Sequence, residues 1–355
     1  MGFHLDTQAT RSTLMSVDST LSEAITASQD YIPIASTTNF STSVVAEIET
    51  TNEVVSFDSI TTNILLYSQT FGTGWTLGAG TVDSNSAVAP DGTTTADKFK
   101  PDSSSTRSHY LYQSVASAGS RVLSIYAKPD GFNFISVVQQ IGAGASAGVQ
   151  FNISTGVIVT SQNATGTITD AGNGWYRCSI IPTATTANTI MLLQPNDGGT
   201  PDTSFYFLST FTGDGTKGVL IWGAQLEETS LTGYLPTTSA SLSGLTTVTR
   251  GTNGTTAASA TSGDSIQQLP YALSEINMPT RLKAISVSSD GTGAGRFTLC
   301  DKVGTTLCDI DIPDNRIYDL SFGGGIIFPN GIYVSNSDNI TAYTLFTDKH
   351  SGAGL

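Results

Sequence analysis

The chain has 355 residues, enough for two compact domains of ordinary size that each bury a core without disulfides. Only 12% of them are charged, and 15 Lys and Arg against 29 Asp and Glu leave a net charge of −14. A phosphate-binding surface has almost nothing to work with, so nucleic acid is excluded as a partner.

The opening residues, Met1-Gly2-Phe3-His4-Leu5-Asp6, lack a basic region followed by an apolar one, and no stretch approaches about 18 consecutive apolar residues. Neither a signal peptide nor membrane insertion is expected. Residues 1–61 are polar and irregular, but Leu14, Val17, Leu21 and Ile25 recur at helical spacing behind a cap at Ser12 or Thr13, which predicts one short helix. Such a helix is too short to stand alone and needs a partner surface or sister chains. The segment is expected to be an extended or short-helical arm that anchors or oligomerises the chain through those four residues. A tail without fixed structure is the other reading. In the anchoring case, removing residues 1–60 is expected to abolish assembly and leave the rest folded.

Residues 62–238 change character. Val122–Ala127, Phe134–Val138, Val157–Val159, Trp175–Ile181, Ile190–Gln194 and Val219–Glu227 read as strands, and Asp91-Gly92, Asp130-Gly131, Asn173-Gly174, Asp197-Gly198 and Asp214-Gly215 are turn dipeptides between them. That many strands with no helical pattern among them predict a sandwich or barrel. Residues 239–266 carry no aromatic side chain and little to bury, which predicts a Ser/Thr/Gly-rich connector. Residues 267–355 then predict a small β-sandwich of seven strands: Arg281–Val287, Arg296–Asp301, Leu307–Ile312, Arg316–Leu320, Ile326–Phe328, Ile332–Val334 and Ile340–Phe346. In the third, Cys308, Ile310 and Ile312 alternate with Asp309 and Asp311, giving one buried and one wet face. Pro329-Asn330-Gly331 signals a hairpin.

The three cysteines, Cys178, Cys300 and Cys308, lack a CxxC spacing and sit in strand-like runs, so they read as small buried side chains. A bridge between Cys300 and Cys308 across a hairpin stays open. The only histidines are His4, His109 and His350, and no nucleophile-elbow, zinc-protease or phosphate-loop pattern occurs. His109 reads as a surface strand residue. Glu227 and Glu228 are adjacent in a strand, point to opposite faces and cannot form a glycosidase pair. Enzymatic activity is therefore not expected. Sugar binding needs exposed aromatic faces with amides beside them. The candidates are Tyr110, Tyr112, Phe132 and Gln139, while Trp75, Trp175 and Trp222 lie in apolar motifs and read as core. No cofactor is expected. A structural Ca2+ is conceivable on Asp83, Asp91 or Asp97, at a spacing that is not diagnostic.

The central block resembles the carbohydrate-binding-module-like, concanavalin A-type jelly roll that recurs in phage tail, fibre and head-surface proteins. The resemblance is carried by Asn63-Ile64-Leu65-Leu66-Tyr67-Ser68-Gln69-Thr70-Phe71 with Trp75, by Ala89-Pro90-Asp91-Gly92-Thr93 through Ala96-Asp97-Lys98-Phe99, and by Ser124-Ile125-Tyr126-Ala127-Lys128. Gly174-Trp175-Tyr176-Arg177-Cys178 and Ile221-Trp222-Gly223-Ala224-Gln225-Leu226-Glu227-Glu228, followed by Tyr234-Leu235-Pro236-Thr237, complete it. The C-terminal block is similar to small phage β-sandwich modules through Ile317-Tyr318-Asp319-Leu320 and Ile332-Tyr333-Val334. The resemblance implies an all-β chain with a central jelly roll and a smaller sandwich. It also implies a virion structural protein on the surface of a phage particle, a short fibre or decoration type. Its partners would be other virion proteins and sister copies, as a homotrimer. A lectin-like host-adsorption protein that binds cell-surface polysaccharide through the jelly roll is the alternative.

Overall fold

A computed structural model describes residues 17–38, 40, 44–48, 50–51, 53–103, 108–117, 121–142, 145–183, 188–204, 206–228, 230–252, 256–268, 280–289, 292–301, 305–329 and 332–349. Among these the chain is all-β, built of antiparallel sheets, and no helix is long and apolar enough to cross a membrane. It divides into two compact units, Thr61–Thr246 and the segments on either side of it, up to Ile60 and from Thr247.

The flanking unit holds a six-stranded sheet made from both ends of the chain. Its members are β1 (Val17–Thr20), β2 (Ile32–Pro33), β3 (Val44–Ile48), β4 (Glu53–Asn63), β17 (Leu242–Thr252) and β18 (Ser265–Gln268), in the order β1-β18-β3-β4-β17-β2. Two expectations fall here. Val17–Thr20 is a strand paired with Ser265–Gln268, and Leu21 and Ile25 form bridges to Ile34 and Ala260. The helical spacing was coincidental, because Val, Ser and Thr are poor helix formers and remote strands supply the backbone partners. Ser12, Thr13 and Leu14 lie outside the described residues. The supposed connector likewise carries β17 and the start of β18, and Leu242, Leu245, Val248, Ala260 and Ile266 are all buried. A strand needs only alternate apolar side chains, and threonine suits it, so a low apolar content misled the reading. Removing residues 1–60 would take β3 and β4 out of this sheet, so the remaining chain cannot be expected to stay fully folded.

The same unit carries the small C-terminal sandwich. One sheet is β22 (Ile317–Phe328), β19 (Thr280–Ser289) and β24 (Ile340–Lys349), and the other is β21 (Thr306–Ile312), β20 (Gly295–Cys300) and β23 (Tyr333–Asp338). Leu282, Ile285, Val287, Phe297, Leu299 and Phe328 are among the residues filling the space between them. Cys308, Ile310 and Ile312 are buried on one face as their alternation requires. The two segments expected at 316–320 and 326–328 are one strand. Gly323 and Gly325 both have positive φ, and the register against β19 skips from Ser321 to Ile326. Asn330 and Gly331 lie outside the described residues. All three cysteines are buried and none is in a disulfide, so Cys300 and Cys308 are not bridged.

The central unit is a jelly-roll sandwich of two six-stranded sheets. The first is β12 (Val157–Gln162), β11 (Ala145–Asn152), β10 (Phe134–Gly142), β15 (Asn188–Asn196), β8 (Tyr110–Ser117) and β5 (Thr76–Gly78). The second is β13 (Ala164–Gly172), β14 (Trp175–Pro182), β9 (Arg121–Asp130), β16 (Gly218–Glu228), β7 (Ala96–Pro101) and β6 (Gly80–Ala87). Alternate residues point inward to one core that includes Leu111, Leu123, Ile125, Ile135, Val137, Phe151, Ile180, Leu193 and Ile221. At both margins the chain steps from one sheet to the other through a single residue of positive φ, Ala79 between β5 and β6 and Asn163 between β12 and β13. In each of the five expected turns the glycine has positive φ.

Candidate functional site

The outer face of the first sheet is where the sugar-binding candidates belong. Tyr110 and Tyr112 stand there on β8, two residues apart with ring centroids 6.1 Å apart. Beside them the sheet presents Ser136, Val138, Gln150, Gln194 and Asn196, an array of hydroxyl and amide groups of the kind that fixes sugar hydroxyls. All five are buried, because the chain between Asp197 and Phe211 lies across them. Phe207 and Leu208 from this strap pack on Val138, with Tyr110, Tyr112 and Tyr206 around them. Gln194 accepts from the Ser209 N–H at 2.8 Å and donates to its carbonyl at 2.7 Å. Gln150 donates to the Gly199 carbonyl and to Asn196 Oδ1, and Asn196 donates to Ser136 Oγ.

The four candidates therefore fare differently. Tyr110 is half-buried over Gly78, where an added Cβ would lie 2.6 Å from the ring. Its removal would cost stability, so it is not a purely functional side chain. Phe132 packs half-buried on the core and makes a T-shaped contact with Phe211 at 5.2 Å, so it is held as a packing residue. Gln139 points inward and is fully buried; its Nε2 donates to the Arg121 carbonyl, and its Oε1 has no partner. Only Tyr112 reaches an open concavity, a groove of about 520 Å3 walled also by Ile64, Leu66, Thr76, Ser114 and Val115. Among the described residues that line the groove none is charged.

The outer face of the second sheet is covered too. Trp175 and Trp222 pack with Ala89, Ala96 and Leu220, and Tyr126 and Tyr234 close the cluster. The indole N–H of Trp175 donates to the Val88 carbonyl and that of Trp222 to Thr95 Oγ1, so the loop before β7 seals both rings. Arg177 lies over the Tyr126 ring, 5.2 Å from its centroid, and donates to the Thr232 carbonyl and Ser124 Oγ. Trp75 is buried as well, so all three tryptophans are core.

The ionisable groups are occupied structurally. Glu227 is buried and accepts from the Thr232 amide and hydroxyl and from Thr61 Oγ1, whereas Glu228 is exposed and pairs with Arg121 at 2.7 Å. The two thus face opposite ways. His109 is a correction: it is fully buried ahead of β8, with Nδ1 2.5 Å from the Ala79 carbonyl and Nε2 3.0 Å from that of Phe211. Its neighbours Ser108 and Tyr110 suit a surface strand, and the groups that enclose it, Ala79 and Phe211, are distant in sequence. Both nitrogens are engaged, so the ring is not placed to act as a base. Asp97 is buried and accepts backbone N–H groups from Phe71 and Asn85; burial pushes its pKa up, and those two bonds oppose the shift. Asp83 pairs with Lys100 at 2.6 Å, and Asp91 closes its own turn through Thr93. The three aspartates are not brought together, and among the described residues no three His, Cys, Asp or Glu side chains group as a metal site needs. Burial pushes the Cys308 thiol up to about 12, with Asp309 adding to the effect.

Of the anchoring residues, Leu21 and Ile25 are buried against the chain's own sheet and cannot reach a partner. The strap over the first sheet was missed in the sequence, although Phe205, Phe207, Leu208 and Phe211 close together in a turn-rich stretch were its signal. No protein-family model and no curated protein matches this chain.

Proposed function

We propose that the chain is a non-enzymatic structural protein displayed on the surface of a phage particle, a short fibre or decoration type, in contact with other virion proteins and sister copies. The observation that carries this reading is that the chain's own segments cover much of both outer faces of the jelly roll, with Gln150, Gln194, Asn196, Trp175 and Trp222 paired internally. A domain covered in this way suits a rigid spacer. The scarcity of Lys and Arg supports it by leaving the exterior hydrated and mutually repulsive at high copy number. The phage assignment itself rests on the sequence resemblance. Gold-labelled antibody against residues 280–349 is expected to decorate intact virions, on capsid or tail, and unlabelled particles would reject the reading.

A second reading, lectin-like adsorption to host polysaccharide, is favoured by one observation, the groove beside Tyr112. An aromatic wall, the hydroxyl side chains of Thr76, Ser114 and Ser241, and no charge among the described lining residues suit a neutral sugar. Binding would be weak and raised by copy number. Tyr112→Ala is expected to abolish retention of the multimerised protein on host polysaccharide while the protein stays folded at a lower melting temperature, since Tyr112 also packs beside Phe207 and Leu208. Retention equal to wild type would remove this reading.

A further inference from the structure

The margin where β12 passes into β13 differs from the rest of the surface. Val157, Ile158 and Val159 follow one another on β12 and are all exposed, Val157 at 53%. Thr165, Thr167 and Thr169 then alternate outward along β13, and exposed Ile181 lies opposite Thr165 on β14. β12 and β13 are terminal strands of their sheets, each paired on one side only, with β11 and with β14. An exposed apolar terminal strand is a template for another chain, and soluble proteins ordinarily blunt it with lysine or another charge. Here residues 131–169 contain no charged side chain and no histidine, in a chain of net charge −14, and the one carboxylate on the two strands is Asp170 near the far end of β13, where it accepts the Gly172 N–H.

From this we infer that the β12–β13 margin is a self-association surface, and that its partner is the same margin of a second copy of this chain. The charge distribution selects that occupant. Two copies at −14 repel wherever their acidic surfaces meet, and they approach without penalty only where both are neutral. The margin is apolar and β-branched, so it also matches itself across a two-fold axis, the self-complementary arrangement of a closed dimer. The size suffices for a modest contact. β12 and β13 fold back on each other, with Ile158 of one beside Gly166 of the other, so the margin is the length of the nine-residue strand, about 30 Å; with the two sheets about 10 Å apart it is about 15–20 Å deep, and the pair buries about 1,000 Å2, the lower bound for a specific interface. The inference deepens the sister-copy part of the proposed function, but it stands on solution behaviour and does not depend on the virion. It yields pairs where the sequence resemblance implies trimers.

The test is sedimentation velocity of the full-length protein from about 1 to 100 µM, at low and at high salt. A concentration-dependent monomer–dimer equilibrium is expected, and raising the salt should strengthen it by screening the acidic surfaces. Val157→Asp/Val159→Asp should weaken dimerisation more than tenfold. Both side chains are exposed, so an unchanged melting temperature and near-UV spectrum will show that the variant is folded. Ile317→Asp, which alters an equally exposed apolar side chain elsewhere, should leave the equilibrium unchanged. A wild-type chain that is monomeric throughout, a trimer, or a dimer insensitive to the double substitution would overturn the inference. Absence of label on virions with dimerisation intact would instead count against the proposed function alone.

Discussion

At the scale of single residues, Arg250 and Glu53 tie together distant segments of the flanking unit. Their side chains form a bidentate pair, at 2.7 and 2.8 Å, that is almost fully buried. The arginine also donates to the carbonyls of Thr26, Gln29 and Ala258, and the carboxylate accepts the N–H groups of Gly251 and Ala258. One ion pair thereby holds β4 and β17 to the turn between β1 and β2 and to the segment before β18. Arg250→Ala leaves a buried carboxylate unpaired and is expected to cost about 3–5 kcal/mol. Urea unfolding, followed through the flanking unit, measures it. The pair also sets a pH dependence. Burial alone would raise the Glu53 pKa, but Arg250 and the two backbone N–H groups outweigh it and hold it below the ordinary value. A carboxylate depressed in the folded state stabilises fully above its unfolded pKa, and that stability is lost as pH falls through the folded value. Wild type should therefore lose stability as pH drops below about 4.5, and the gap to Glu53→Gln should narrow over the same range. A gap constant with pH would show that the carboxylate's charge is not what matters.

At the scale of elements, the strap from Asp197 to Phe211 is held by fit more than by regular structure. Tyr206 and Phe207 both adopt positive φ, a conformation that costs a non-glycine residue about 1–2 kcal/mol. Burial of the Phe207 ring offsets that cost, and the ring lies against Gly148 on β11, where an added Cβ would stand 2.4 Å from it. Gly148→Ala is thus expected to destabilise the central unit by about 1–3 kcal/mol through overpacking. Its local signature would be faster hydrogen exchange at the Ser209 amide, which bonds to Gln194, with β9 and β16 still protected. Uniform loss of protection would mean that strap and sandwich form one cooperative unit. The strap also marks where the sequence stops being legible. Strands such as Val219–Glu227 announce themselves because alternation or a continuous apolar run fits one period. Phe207 and Leu208 are buried by contacts distant in sequence with no period to reveal them, so Tyr110 and Gln139 looked available when the fold had already used them. β17 was hidden for the converse reason, since a few leucines and a valine among threonines and serines suffice once β4 supplies the partner.

At the scale of the molecule, the order of strands makes the central unit an insertion. The chain leaves the six-stranded sheet at the end of β4 and returns to it in β17, its neighbour. Thr252 reaches the Val54 carbonyl near one end of this pair and Thr62 meets Ser243 at 2.7 Å near the other, so the two strands run antiparallel. The ends of the insert are therefore a strand spacing apart, about 5 Å, which is the condition under which one domain interrupts another without straining it. Two outcomes are expected. Residues 61–246 expressed alone should fold cooperatively with a dispersed amide spectrum, because their core is contributed wholly from within that range. Replacing residues 64–241 by a two-residue Asn-Gly turn should join β4 to β17 as a hairpin and leave the flanking unit folded. Calorimetry of the intact chain would then resolve into transitions that match the separate pieces. A central fragment that stays unfolded would mean that the flanking strands are needed to close the jelly roll, and the insert would have to be regarded as part of a single larger fold.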